Sequence, residues 1–362
     1  MNDLEQIMIR LSEAFGPSGF EMEVRETMKN LLDGHAAISY DNLGSILATR
    51  RGQAETPRVL LAAHMDEVGL MVRGVLPGGY LKVVPLGSWW SPSLIAQQVL
   101  IRSQNGDHRG VIGAKPPHYL KEDEKNRQPG IAELYIDVGA QSQAEVSALG
   151  IKVGDPVVPA VHTEVLSATR TLVGKAFDDR AGCVVLVKVL QELTDTHPNQ
   201  VIGAGTVQEE VGLKGARALA NLVQPDICIV LEGAPADDFP DAGAIVQGKL
   251  GAGPQIRRYD PSMIANQHLV DVILEVAEHL KIPHQVAVRE GGGTDGSALQ
   301  VQTTGGVPTV VIGVPVRYAH SHHGILHLGD LAATVNLIKA VINRLDAATV
   351  NQIKLNPWAV KP

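Results

Sequence analysis

The stretch VIGAGTVQEEVG, residues 201–212, decides how this chain folds. It begins as an apolar run typical of a buried strand and ends at two adjacent carboxylates, Glu209 and Glu210. Val211 and a glycine, Gly212, follow, and a helical pattern begins at Leu213. Two like charges at the end of a buried strand repel each other and lose solvation, a cost that a bound cation would offset. The alternative is that both glutamates simply open the next helix, whose dipole favours them.

The composition limits the class of protein. A chain of 362 residues with 44% hydrophobic content has room for two domains with apolar cores. Its net charge of −8 argues against nucleic acid or an anionic membrane as the main partner. The start of the chain lacks the apolar run of a signal peptide, and no segment approaches the roughly 18 apolar residues of a membrane span. Two cysteines in apolar segments, Cys183 and Cys228, predict reduced thiols in a soluble cytoplasmic protein.

The N-terminal region predicts an amphipathic helix. Ser18 and Glu21 in GPSGFEMEVRETM have the spacing of a capping box. Val24, Met28 and Leu31 then form an apolar stripe with helical spacing.

A hairpin and a buried strand follow this helix. The segment DNLGSILATRRG, residues 41–52, predicts the hairpin. The apolar run RVLLAA, Arg58–Ala63, is typical of a strand buried on both faces. It leads into His64 and Asp66, which point to the same side because residues two apart on a strand share a face.

The character of the sequence changes between about residues 72 and 167. Helical periodicity disappears, and short strands rich in valine alternate with glycine and proline turns, which predicts an inserted small β-barrel or sandwich. The Asn105-Gly106 pair between apolar stretches predicts a hairpin. The charged segment Lys121–Gly130 is expected to be a solvated surface loop, and no catalytic cluster stands out in this region.

Strand and helix patterns alternate again in the rest of the chain. Asp178 and Asp179 precede a helix, where acidic residues are ordinary, so this pair alone indicates no site. The later segments predicted from the pattern are the helix 213–223, the strand Asp226–Leu231 that ends at Glu232, the helix Asn266–Leu280, the glycine-rich turn 290–296, the strand Thr309–Val314 that precedes His320, and the helix Asp330–Leu345.

Residues of metal-ligand type therefore follow several predicted strands. The alternation predicts an α/β fold with a mostly parallel sheet flanked by helices, and such sheets bind ligands beyond the carboxyl ends of their strands. Two histidines with several carboxylates suit zinc, cobalt or manganese, and this many carboxylates suits two ions that share a bridge. The residues expected to converge are His64 with Asp66, Asp178, Glu209 with Glu210, Glu232, and His320.

The motifs GPSGFE, AHMDEVG, GKAFDDR, QEEVGLKGA, GGTDGSA and GVPVRYAHS occur in this order along the chain. Together they resemble the dinuclear metallo-aminopeptidases that assemble as tetrahedral dodecamers, the glutamyl and deblocking aminopeptidase group. The resemblance implies a zinc-peptidase-like catalytic domain formed by residues 1–71 and 168–362. Residues 72–167 would be an inserted β-barrel for dimerisation and oligomerisation, and the protein would be a homo-oligomer whose dimers assemble into a dodecamer.

The resemblance also implies a role for each residue of the first metal site. His64 and Glu232 would bind this ion, and Asp178 would bridge it to a second ion. Asp66 would orient the imidazole of His64, and Asp179 would hold the local backbone. The family often has aspartate at position 232, so Glu232 lengthens this arm by one methylene.

For the second site, the resemblance implies that Glu210 and His320 bind the ion and that Glu209 is the general base. The protein would use two divalent ions, zinc or cobalt, with manganese also acceptable, to remove the N-terminal residue from short peptides. Histidines at positions 322, 323 and 327 crowd His320 and are alternative ligands, but the RYxHS context selects His320.

Two further features have weaker functional claims. Thr294 and Asp295 within GGGTDGSA lack the lysine of a phosphate-binding loop and are expected to shape a substrate pocket. Trp89 and Trp90 are expected to be buried packing residues of the inserted domain.

Two other functions compete with the peptidase. A dinuclear amidohydrolase or deacylase acting on non-peptide amides would share the same metal chemistry. A catalytically inactive metal-binding assembly protein is the second alternative, and Glu209 argues against it because a structural site needs no unliganded carboxylate beside its ligand. Some relatives carry an endoglucanase label, which 4% aromatic content does not favour, since no aromatic platform for a sugar is evident. The preferred N-terminal residue and the native metal stay open at this point.

Overall fold

Apolar strands and amphipathic helices build a large mixed sheet with packed helices and a separate closed barrel. The computed structural model describes residues 3–166, 170–302 and 305–355. Its strands are β1 Ala37–Tyr40, β2 Ile46–Arg51, β3 Arg58–His64, β4 Gly69–Val75, β5 Leu81–Leu86, β6 Gln98–Ser103, β7 Gly106–Gly113, β8 Tyr135–Asp137, β9 Pro156–Pro159, β10 Glu164–Leu166, β11 Thr171–Gly174, β12 Gln200–Thr206, β13 Ile227–Pro235, β14 Gln255–Asp260, β15 Met263–Ile264, β16 Gln285–Val288, β17 Thr309–Arg317 and β18 Gly324–His327.

The helices pack against the large sheet in two groups, one around α5 and one formed by α6 with α8. None of the helices in the described ranges is long and apolar enough to cross a membrane. The helices are α1 Asp3–Glu13, α2 Met22–Leu32, α3 Glu122–Lys125, α4 Gln143–Ala148, α5 Phe177–Glu192, α6 Lys214–Val223, α7 Gln267–His279, α8 Asp295–Gln302, α9 Leu328–Arg344 and α10 Ala347–Leu355.

The large sheet has four parallel strands at its centre, β12, β3, β13 and β17 in spatial order. Antiparallel strands flank them, with β2 and β1 beyond β12 and with β18, β11 and β10 beyond β17. Every residue of β3 after Arg58 is buried, and so is every residue of β12 after Gln200. This burial explains why both strands read as continuous apolar runs.

The predicted residues lie at the edge of the sheet formed by the carboxyl ends of the parallel strands. β3 ends at His64, while Glu209 follows the end of β12 and His320 follows the end of β17. The expectation that a strand ends at Glu232 is wrong, because β13 continues to Pro235 and Glu232 lies within it. A buried glutamate inside a strand therefore projects directly from the sheet, which holds its backbone more firmly than a loop would.

The predicted capping box at the start of α2 is also wrong. Helix α2 begins at Met22, and no side chain caps its N-terminus. The hydroxyl of Ser18 instead donates to the carboxylate of Asp66, and the carboxylate of Glu21 accepts the amide of Gln208. Partners distant in sequence compete for these polar groups and displace the local motif.

The inserted region forms a closed six-stranded barrel in the order β4-β5-β8-β7-β6-β9. The hairpin predicted at Asn105-Gly106 joins β6 to β7. The segment Lys121–Gly130 is mostly exposed, as expected, and contains the single helical turn α3. The predicted domain boundary after Ser167 lies outside the described residues, and the division into two domains stays a prediction.

The C-terminal helices extend beyond the predicted pattern. Helix α9 begins at Leu328, two residues before the predicted start. Helix α10, Ala347–Leu355, was not expected from the sequence.

Candidate metal centre

One cluster of ligand groups forms where β3, α5 and β13 meet. The Nε2 atom of His64 lies 3.1 Å from Oδ1 of Asp178 and 3.3 Å from Oε1 of Glu232. The ligand atoms of these three residues all lie within 4.8 Å of one another. Imidazole nitrogen and carboxylate oxygen at such spacing suit a divalent transition metal.

A second cluster lies beside the first and shares Asp178 with it. The Nε2 atom of His320 is 3.3 Å from Oδ2 of Asp178 and 3.2 Å from Oε1 of Glu210. Asp178 therefore turns one carboxylate oxygen toward each histidine. A carboxylate in this position is suited to bridge two ions.

Glu209 lies next to both clusters without belonging to either of these two triplets. It forms a third ligand-type group with His64 and Glu210, again within 4.8 Å. It also lines the cavity onto which both clusters open. A carboxylate beside the ligands and facing the cavity is in a suitable place for proton transfer.

The electrostatics of the centre are unfavourable for so many carboxylates. Burial raises the pKa of Glu209 well above its ordinary value, and repulsion from Glu232 adds to the increase. Burial also raises the pKa of Glu210 and of Glu232. At His320 burial lowers the pKa, but hydrogen bonds to Asp178 and Glu210 outweigh it and bring the pKa to about 11. In the absence of a metal, protons therefore supply the positive charge that the carboxylates need.

An unpaired oxygen atom of Glu232 is a further indication that the cluster suits a metal ion. The Oε2 atom of Glu232 is buried and has no hydrogen-bond partner among the described residues. An unpaired buried carboxylate oxygen is costly, and coordination to a cation would remove that cost.

Asp66 contacts His64 through its backbone carbonyl and the backbone of Glu209 and Glu210 through its carboxylate. Its backbone carbonyl lies 3.0 Å from Nδ1 of His64, whereas its carboxylate is 3.5 Å from the same nitrogen. The carboxylate accepts the amide N–H of Glu209 at 2.9 Å, the amide N–H of Glu210 at 3.1 Å, and the hydroxyl of Ser18 at 2.6 Å. Asp66 thus orients the imidazole through its carbonyl and holds both glutamates through its side chain.

Glu21 binds the backbone amide of the residue that precedes Glu209. Together Glu21 and Asp66 form a cradle of amides around residues 208–210. The carboxylate of Glu21 accepts the amide of Gln208 at 3.0 Å and that of Gly19 at 2.8 Å. Gln208 has a φ of 56°, an uncommon conformation for a residue with a side chain. The hydrogen bond from its amide to Glu21 helps to fix the turn that aims the next residue, Glu209, at the cavity.

Sequence reasoning did not find Ser18 or Glu21 as members of the site. The signal was present in the GPSGFE motif, which the capping-box interpretation explained as local structure.

Asp179 supports the backbone on the other side of the centre. Its buried carboxylate accepts the amide of His64 at 3.0 Å and the amide of Gly182 at 2.9 Å. These bonds tie the end of β3 to the first turn of α5.

The GGGTDG turn contributes one residue to the cavity and one behind it. Thr294 lines the cavity. Asp295 is buried and does not line it; its carboxylate accepts the hydroxyl of Thr206. Burial raises the pKa of Asp295 to about 7. The structure therefore brings Thr294, but not Asp295, to the surface where a substrate would bind.

The alternative histidine ligands lie elsewhere. His323 is exposed, and His327 accepts the amide of Gly329 at the start of α9. His322 is buried beside Trp89, with ring centroids 5.7 Å apart. The expectation that Trp90 is buried is wrong, because 63% of its surface is exposed.

The cavity over the two clusters has a volume of about 810 Å³. Its wall also includes Arg257, Arg289, Phe239 and Tyr318. The volume is enough for a short peptide segment, and the wall carries both cationic and aromatic side chains.

Comparison with known proteins extends over nearly the whole chain. Residues 44–337 match the profile of the M42 glutamyl aminopeptidase family. The glutamyl aminopeptidase of Lactococcus lactis subsp. cremoris is 34% identical over 350 residues, which cover 95% of this chain and 97% of that protein. The crystal structure of a TET aminopeptidase from a marine sediment Thaumarchaeota archaeon is similar, with a TM-score of 0.93 and 41% identity, covering 97% of this chain and 98% of the other.

A second solved structure has a title that describes its assembly. The TET1 peptidase of Pyrococcus horikoshii, which can assemble into a tetrahedron or a large octahedral shell, has a TM-score of 0.84 and 34% identity to this chain. The match covers 95% of this chain and 100% of that one.

The raised pKa values predict how the metal-free protein responds to pH. Glu209, Glu232 and His320 each have a folded pKa above the unfolded value, about 4.3 for Glu and 6.5 for His. Their contribution to stability is complete below the unfolded pKa and is lost as the pH rises through the folded pKa. We therefore expect the melting temperature of the chelated protein to fall by several degrees between about pH 5 and pH 8, measured by calorimetry.

Two variants and the addition of zinc test whether the buried carboxylates cause this fall in melting temperature. Glu209→Gln should reduce the fall, whereas Glu122→Gln on the exposed helix α3 should leave it as in wild type. Added zinc should abolish it. A flat profile in chelator would contradict the description of the centre.

Proposed function

The chain belongs to the M42 glutamyl aminopeptidase family and is a metal-dependent aminopeptidase; we propose that two divalent cations and Glu209 carry out its reaction. The family predicted from the motifs is thereby confirmed, and so is the α/β fold with an inserted barrel. The observation that carries the proposal is the shared position of Asp178, with one carboxylate oxygen toward His64 and the other toward His320.

The ligand assignment follows from the two clusters. His64 and Glu232 would hold one ion, Glu210 and His320 would hold the other, and Asp178 would bridge them. Zinc or cobalt suits this mixture of imidazole and carboxylate, and manganese would also be accepted. When bound, the two cations would lower the pKa of a water molecule and polarise the peptide carbonyl.

Glu209 is the proposed general base. It takes a proton from the attacking water as the water oxygen bonds to the carbonyl carbon. It then gives this proton to the leaving nitrogen as the C–N bond breaks, so the products are a free amino acid and a shortened peptide. The position of Glu209 beside both clusters and facing the cavity supports this role.

Short peptides with a free amino terminus are the proposed substrates. A free amino terminus held in the cavity next to the two clusters would place the first peptide bond near the centre, so that single residues are removed. We further propose a cytoplasmic homo-oligomer. The two cysteines, Cys183 and Cys228, are buried free thiols, and the similar TET1 peptidase can assemble into a tetrahedron or a large octahedral shell.

The test is release of the first amino acid from a panel of short peptides, each with a free and an acetylated N-terminus. Reactions are run with added zinc, cobalt or manganese and again with chelator. Release from free peptides alone, dependent on metal, is the expected result. Cleavage of the acetylated set would favour a deacylase, and no cleavage with any metal would favour the inactive metal-binding protein.

Replacing the general base separates catalysis from metal binding. Glu209→Gln keeps the size of the side chain but cannot accept the proton, so we expect kcat to fall by roughly 10²- to 10⁴-fold. The number of zinc ions per chain, measured by mass spectrometry, should stay unchanged. Loss of an ion together with activity would show that Glu209 is a ligand instead of a base.

Removing the Ser18 hydroxyl, which supports the cradle of amides through Asp66, should lower kcat less than replacing Glu209 does. Ser18→Ala removes the hydroxyl that donates to Asp66, and we expect kcat to fall about tenfold with both ions retained. Ser12→Ala is the matched control, because Ser12 is equally buried and donates to the carbonyl of Lys175 at 2.6 Å, away from the cradle. Equal losses of kcat in the two variants would contradict the positioning role.

The arginines of the cavity wall predict a preference for an acidic first residue. Arg257 and Arg289 each have one carboxylate partner at 3.1 Å, Asp260 and Asp237, and Nε of Arg257 has none among the described residues. A carboxylate of the substrate would complete their hydrogen bonds. We expect kcat/KM for Glu-Ala to exceed that for Gln-Ala about tenfold, or roughly 1.4 kcal/mol.

The side-chain preference is tested on the same pair of peptides. Arg289→Met should remove most of the preference by lowering the rate for Glu-Ala while the rate for Gln-Ala stays near the wild-type value. Amidated peptides, Glu-Ala-NH₂ and Gln-Ala-NH₂, separate the side chain from the C-terminal carboxylate. If the Glu-to-Gln ratio of kcat/KM falls to one with the amidated peptides, the arginines do not bind the side chain of the first residue, and the prediction is contradicted.

A further inference from the structure

A segment of the inserted barrel reaches the second ligand cluster. Strand β5 ends at Leu86, and the chain then passes through Gly87, Ser88 and Trp89. The carbonyl of Ser88 lies 2.9 Å from Nδ1 of His320. A carbonyl can only accept, so Nδ1 carries the proton and donates it. The other nitrogen, Nε2, is then the one turned toward Asp178 and Glu210, as a metal ligand requires.

Gly87 brings the same segment against the carboxylate of Glu210. Its φ is 82°, in the left-handed region that glycine adopts without strain. A Cβ atom at this position would lie 3.1 Å from Oε2 of Glu210 and 2.8 Å from Cγ1 of Val68. Any larger residue would therefore have to displace the carboxylate or the barrel.

Trp89 contacts both the barrel and the turn that carries His320. Its Nε1–H donates to the carbonyl of Gly69, the first residue of β4, at 2.9 Å. Its ring packs at a tilt of 51° against the ring of His322, which is buried two residues after His320. The turn that carries His320 is itself unusual, with φ values of 60° at Tyr318 and 59° at His320. Packing against Trp89 thus helps to hold a turn that the backbone alone does not favour.

We propose that residues 87–89 of the barrel are a positioning element for the ion held by Glu210 and His320. The inference rests on the ligand assignment of the proposed function. It gives the barrel a part in building the metal centre in addition to any part in assembly. His64 and Glu232 have no described hydrogen bond or ion pair to this segment, so the effect is selective for one ion of the two.

The test compares two glycines of the barrel that have nearly the same φ, 82° at Gly87 and 79° at Gly139. Gly87→Ala adds a methyl group against Val68 and Glu210, whereas Gly139→Ala adds it with nothing within 4 Å. Both substitutions place alanine in the left-handed φ region, so a difference between them reports the contacts made at position 87. The full-length protein is stripped of metal and titrated with zinc against a competing chelator, which gives the two dissociation constants without any activity assay.

We expect Gly87→Ala to weaken the binding of one of the two zinc ions at least tenfold while the other ion binds as in wild type. Gly139→Ala should bind both ions as wild type does. Equal binding in the two variants, or an equal loss of both ions in Gly87→Ala, would overturn the inference while the ligand assignment stands. Fewer than two ions on the wild-type protein would overturn the ligand assignment and, with it, this inference.

A second pair of variants covers the case in which Gly87→Ala does not fold. Trp89→Ala removes the packing against His322, and Trp90→Ala removes the neighbouring ring, which is mostly exposed. We expect weaker binding of one of the two ions in the first variant and unchanged binding of both in the second. Indistinguishable zinc titrations for these two variants would also overturn the inference.

Discussion

Repulsion among buried carboxylates is the constraint on which the rest of this structure depends. Asp178, Glu209, Glu210 and Glu232 meet at one edge of the parallel strands. Burial raises the pKa of each glutamate, and repulsion from neighbouring carboxylates adds to the increase. Such a cluster is tolerated only if positive charge is supplied from within the same volume. Protonated histidine provides part of it in the metal-free chain. Two cations would provide it in the active enzyme, so the same repulsion that opposes folding drives metal binding.

The surroundings of the cluster hold its members at fixed positions, and they come from separate parts of the chain. Glu21 of the N-terminal segment and Asp66, which follows β3, fix three consecutive amides and so aim Glu209 and Glu210. Asp179 ties the end of β3 to α5. The barrel contributes a carbonyl to His320. Because these supports reach the residues of the centre from separate parts of the chain, the centre depends on more of the fold than the sheet alone.

Much of this arrangement could be predicted from the sequence, for a physical reason. Continuous apolar runs identify strands buried on both faces, and parallel strands bring their carboxyl ends together, so His64, Glu209 and His320 could be expected to converge. The errors concern partners distant in sequence. Ser18 and Glu21 fit a local cap equally well, and only the folded chain shows that Asp66 and Gln208 take their hydrogen bonds. Trp90 is as apolar as Trp89, and nothing local indicates that Trp90 is exposed whereas Trp89 is half-buried.

Anomalous X-ray diffraction from crystals grown with zinc tests the central claim most directly. The account predicts two zinc peaks per chain about 3.5 to 4 Å apart, one beside His64 and Glu232 and one beside Glu210 and His320, with Asp178 between them. A single peak, or two peaks that do not share Asp178, would contradict it.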